Sequence, residues 1–175
     1  QAASNDGYKR AARDMQDDGV VAASGTRLPM YSAEARLARA RLSVARFDTA
    51  SAKSDIAAAG LIIATLPPGL ARSWFTADLL FDEALASSPR DNDRATMSLD
   101  SVIAFFESLH NSRRLLPALV ARAESYLAAG NVTRATADLN RATALLAKED
   151  TVRRDASFRA SLLDAAHRVF DRLVM

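Results

Sequence analysis

The feature that most constrains this chain is that it repeats itself. Laying Ala38 to Ile63 over Ala121 to Leu146, an offset of 83, gives seven identities in 26 positions. They are Ala38/Ala121, Arg39/Arg122, Ala40/Ala123, Ala45/Ala128, Ala52/Ala135, Asp55/Asp138 and Ala59/Ala142. Val44/Leu127, Ile56/Leu139 and Ile63/Leu146 are apolar in both copies. The matches recur at helical spacing on one face, the pattern of a packed amphipathic helix. Between the copies, Arg94-Ala95-Thr96 and Leu99 repeat Arg134-Ala135-Thr136 and Leu139 at an offset of 40. A period near 40 marks an array of stacked helix pairs, because one pair cannot bury its apolar stripe alone. Asp48, Asp91 and Asn131 precede the second helix of each copy, where a short polar side chain can accept from an orphan backbone N–H.

The spacing predicts an N-terminal helix over 5–17 and a connection to residue 32. Three helix pairs then follow at about 33–66, 71–109 and 116–148. Pro67-Pro68 stops the first pair, since proline cannot continue a helix. Pro117 is tolerated in a first turn, so its helix is expected to begin near Leu116. After Asp155, Phe158, Leu162, Ala166, Val169 and Leu173 form the stripe of one further helix. It reads as the first half of a truncated repeat, and its exposed stripe invites a homodimer. Together with the first residue being Gln, this reads as a piece of a longer protein.

Composition agrees with helices. Ala, Leu and Arg, which lose little rotamer freedom in a helix, dominate; the 49% apolar fraction is too high for a disordered chain. With 23 basic against 21 acidic residues the net charge is only +2. A nucleic-acid partner is therefore not expected, because phosphate-tracking proteins carry a far more basic face. The longest apolar run, Ile56 to Leu66, is eleven residues, against about 20 for a membrane span. No membrane contact is expected, and the expected compartment is cytoplasmic.

Leu119, Ala123, Tyr126, Gly130, Ala135, Leu139 and Ala142 reproduce the large, small, aromatic, turn and Ala-large-Ala pattern of one helix pair. In these residues the chain resembles the tetratricopeptide repeat (TPR) family. Ala40, Ala52, Ile56 and Ala59 match in the first copy, where Ser43 replaces the aromatic and Phe47 the turn glycine. Trp74, Phe81, Ala95, Leu99 and Val102 match more loosely in the middle one. The resemblance implies an all-α, right-handed superhelix of antiparallel helix pairs. It also implies a protein-interaction role, with a concave groove lined by Glu34, Leu37, Arg41 and Val44 in the first copy. In the third copy Pro117, Val120, Glu124 and Leu127 take these places. Mixed apolar and charged groups suit a peptide or partner helix. The segment from Phe158 to Met175 also resembles the helix that leads from TPR arms into a caspase-like CHAT peptidase domain in bacterial proteins. That narrower resemblance would make the partner a downstream domain of the same polypeptide.

No enzyme chemistry, cofactor or metal site is expected. The chain has no cysteine, so thiolate catalysis and disulfides are excluded. His110 and His167 lie far apart and share no metal-ligand spacing. Asp91-Asn92-Asp93 opens like a calcium loop but lacks the Gly and closing Glu that such a loop needs. Asn131-Val132-Thr133 has the form of a glycosylation sequon, yet Asn131 is better explained as a cap.

Overall fold

Residues that cap and break helices set the order of elements. The computed structural model describes residues 11, 14–15, 17–25, 28–87, 91–148, 160, 163 and 167. Every regular element among them is α-helical. A helical stretch at 17–24 is followed by α1 (Pro29–Ala45), α2 (Thr49–Thr65) and α3 (Leu70–Leu85), then α4 (Asn92–Ser108), α5 (Ser112–Ala128) and α6 (Val132–Lys148). The chain divides into two units, Gln1–Ala86 and Ser87–Met175. The helix expected after Asp155, and the dimer built on it, fall almost wholly outside the described residues.

The 83-residue offset carries the bounds of α1 onto those of α5, and the bounds of α2 onto those of α6, residue for residue. It also carries burial. Ala33/Leu116, Leu37/Val120, Ala40/Ala123, Ala52/Ala135, Asp55/Asp138, Ile56/Leu139 and Ala59/Ala142 are buried in both copies. Alanine dominates these seams, so the helix backbones approach closely and a few larger side chains fill the remaining space. In the first unit the cluster is Ala33, Leu37, Ala40, Ala52, Ile56, Ala59, Ile63 and Ala86, with Phe75 and Leu79 of α3 packed against it. A Cβ added at Gly60 of α2 would stand 3.4 Å from the Leu79 side chain, so α3 lies in van der Waals reach of α2 there.

The turns inside the helix hairpins share one construction. After α5, Asn131 N–H donates to Tyr126 C=O (2.7 Å) and Gly130 N–H to Leu127 C=O (3.0 Å), with Gly130 at φ 77°. This is the Schellman arrangement, which satisfies orphan carbonyls through one left-handed residue. Asn131 then caps the next helix by accepting from Arg134 N–H (3.1 Å). The same bonds recur after α1, with Phe47 at φ 61° as the left-handed residue and Asp48 accepting from Ser51 N–H (3.1 Å). They recur again after α4, with His110 at φ 50° and Asn111 accepting from Arg114 N–H (3.0 Å).

Four expectations change. Asn111 caps α5, so that helix starts at Ser112, and Pro117 lies inside it instead of in the first turn. The burial of Leu115 and Leu116 holds the added N-terminal turn in place. Asp91 makes no side-chain cap bond, unlike Asp48 and Asn131. Helix α1 begins at Pro29, earlier than Ala33, since proline suits a first helical position. The N-terminal helical stretch runs past Gly19 to Ser24, anchored by buried Val20.

Candidate functional site

The duplication places the same charged cluster in each unit. Arg39 of α1 donates through Nε and Nη2 to both carboxylate oxygens of Asp55 on α2 (2.7 and 2.6 Å), and through Nη1 to Asp17 (2.8 Å). Arg122 of α5 does likewise with Asp138 on α6 (2.8 and 2.7 Å) and Asp100 on α4 (2.6 Å). All three members of one cluster lie 83 positions from their counterparts. Asp17 therefore stands to α1 as Asp100 on α4 stands to α5, which makes the 17–24 stretch the counterpart of α4. Val20 and Ile103, also 83 apart, are both buried.

A guanidinium fork matched to a carboxylate is the strong form of an ion pair. Its hydrogen bond to Asp55 does most to raise the Arg39 pKa above its ordinary value, opposed by burial and reinforced by Asp17. Arg122 is raised in the same way by Asp138 and Asp100. These arginines stay charged at any working pH, and their role is to join three helices. A third pair is peculiar to the first unit. Arg41 Nε donates to Asp82 of α3 (2.7 Å), a residue only 1% exposed. Burial works against the Arg41 charge, but Asp82, with the fields of Asp78 and Glu34, keeps its pKa above the ordinary value.

Tyr126 is half-buried beside the second cluster. Its ring faces two guanidinium groups, with Arg122 at 5.9 Å and Arg134 at 5.6 Å from the ring centre. In the first unit the counterparts of Tyr126 and Arg134 are Ser43 and Ser51. There an open cleft of about 250 Å³ is lined by Asp17, Arg39, Leu42, Ser43, Arg46, Asp48, Ser51, Ser54 and Asp55.

The residues expected to line a groove are placed unevenly. Glu34 and Glu124 are exposed, and Val44 and Pro117 are half-buried. Leu37 (1% exposed) belongs to the core of the first unit, and Val120 and Leu127 are also buried. Arg41 is committed to Asp82. Glu34 and Glu124 are therefore the exposed charged members of this set. The charged clusters were present in the sequence as the identities Arg39/Arg122 and Asp55/Asp138, without their partnership. Extending the same alignment upstream to Asp17/Asp100 would have completed them.

Among the described residues no three His, Cys, Asp or Glu side chains converge to hold a metal ion. No described helix is long and apolar enough to cross a membrane. The fold defines an all-helical protein built on a duplicated set of helix hairpins, compatible with a helical repeat. No protein-family model and no curated protein matches the chain.

Proposed function

We propose that the chain is a non-catalytic interaction scaffold, a TPR-like right-handed array that binds a peptide or partner helix on the face of its first helices. The observation that carries this reading is the reuse of one hairpin design, with bounds, turns and buried seam conserved across 83 residues. Repetition of that kind builds extended surfaces. The strongly charged residues inside it are spent on each other as ion pairs. Glu34 in the first unit and Glu124 in the second are both exposed and add negative charge to their first helices, so the preferred ligand is a peptide with basic and apolar side chains.

Selection from a random peptide library on the purified chain, followed by fluorescence anisotropy, tests the proposal. The selected peptides should be basic, and Glu34→Lys together with Glu124→Lys should weaken them about tenfold, or about 1.4 kcal/mol. A library that yields no saturable binder, or binders indifferent to both substitutions, would sink the scaffold reading.

A further inference from the structure

The two copies of the duplication part company at one place, and there the difference opens a space. In the second copy the Tyr126 ring lies against Arg122 and Arg134. In the first, the corresponding residues are Ser43, Arg39 and Ser51. All three line the 250 Å³ cleft. The helix bounds, turn bonds and cap positions around them correspond residue for residue, so Ser43 holds the place in its hairpin that Tyr126 holds in the other. The cleft is therefore bounded by the residues that correspond to Tyr126 and its two arginines in the other copy. We propose that it accepts the phenol ring of a tyrosine from a bound polypeptide, which stacks on the guanidinium of Arg39. This rests on the scaffold reading above and names one side chain of its ligand.

Size, surface and charge select that ring. A cavity of about 150 Å³ already takes up benzene, so 250 Å³ admits a phenol with room for its hydroxyl. Arg39 is held through its edge by Asp55 and Asp17. Arg122, held by the equivalent pair of carboxylates, still stands over Tyr126. The ion pairs therefore leave the guanidinium face open for cation–π contact, and the platform needs no ordering when a ring arrives. The other lining residues include Ser43, Ser51 and Ser54, which carry hydroxyls. These can bond a phenol O–H, whereas a leucine or phenylalanine side chain would desolvate them without replacement. Three carboxylates and two guanidinium groups line the cleft. Its balance is negative, which turns away a phosphorylated ring.

The test is an amide-resonance titration of the whole chain with N-acetyl-tyrosinamide. The Ser43, Ser51 and Ser54 signals should move saturably at millimolar ligand. N-acetyl-leucinamide and the phosphotyrosine analogue should leave them in place. Ser43→Tyr supplies the ring from the chain itself and should abolish the response while raising the melting temperature. Ser51→Arg restores the second cationic face and should tighten binding several-fold, which keeps the idea testable if the first variant fails to fold. No saturable movement, the same movement with the leucine analogue, an unchanged response in Ser43→Tyr, or weaker binding in Ser51→Arg would each overturn the proposal. A silent titration beside a successful peptide screen removes the cleft and spares the scaffold. A saturable titration beside a failed screen removes the scaffold, and with it the polypeptide source of the ring.

Discussion

Replacing an aromatic residue by glycine normally weakens a fold, but Phe47→Gly should strengthen this one. Phe47 holds φ 61° at the end of α1, where its counterpart in the second copy is Gly130 at φ 77°. A residue with a Cβ pays roughly 1–2 kcal/mol to adopt that left-handed conformation. The ring offers little in return, since Phe47 is 93% exposed. Full burial of such a side chain is worth roughly 1.5–3 kcal/mol, so the remaining 7% contributes about 0.2. Glycine also widens the unfolded ensemble, which costs roughly 0.4–1 kcal/mol. The balance is a gain of about 0.5 kcal/mol, a rise of roughly 2 °C in melting temperature. Thermal and urea unfolding followed by circular dichroism will read it. Phe47→Ala keeps the Cβ and should stay within about 0.5 kcal/mol of the parent. Gly130→Ala should lose about 1 kcal/mol by the same accounting. The reasoning is refuted if Phe47→Gly loses stability, or if alanine gains as much as glycine.

Arg122→Lys should cost about 1–2 kcal/mol in urea unfolding, because an ammonium cannot make the forked contact to Asp138 while also reaching Asp100. Arg41→Met leaves Asp82 buried without its guanidinium and should cost about 3 kcal/mol; the double variant with Asp82→Leu should recover most of that loss in a double-mutant cycle. Pro117→Ala returns an N–H to the interior of α5 and should raise stability by about 1–2 kcal/mol, seen as a higher urea midpoint. Tyr126→Ala should cost about 2 kcal/mol, less than the roughly 3–5 for a fully buried aromatic, because the ring is only half-buried against two arginines.

Much of the fold was legible because packing repeats faithfully. Ala52, Ile56 and Ala59 are buried, as are their counterparts Ala135, Leu139 and Ala142, so likeness at helical spacing translated directly into burial. The cap residues Asp48 and Asn131 could be read for the same reason. Asn111 escaped notice because proline six positions later suggested a later helix start. The candidate groove was less legible. Whether Leu37 or Val120 meets a ligand or the interior depends on which neighbour covers it, and helical period alone cannot say. The paired carboxylates Asp17 and Asp100 lie one helix upstream of their arginines, beyond the reach of a local motif.

The hairpin turns have a consequence for how the molecule meets proteases and insertions. At Arg46-Phe47-Asp48, Leu109-His110-Asn111 and Ala129-Gly130-Asn131 the backbone N–H groups are already engaged, and only these three residues separate one helix from the next. Such a corner offers no extended strand for a cleavage site to bind and no slack to absorb an extra residue. One inserted amino acid would turn the following helix by about 100° about its axis, swinging Asp55 or Asp138 away from its arginine. Cutting and grafting should therefore fail at these three corners and be tolerated between Leu66 and Gly69. There the chain leaves α2 extended, and three of its four residues, Pro67, Pro68 and Gly69, are open to solvent.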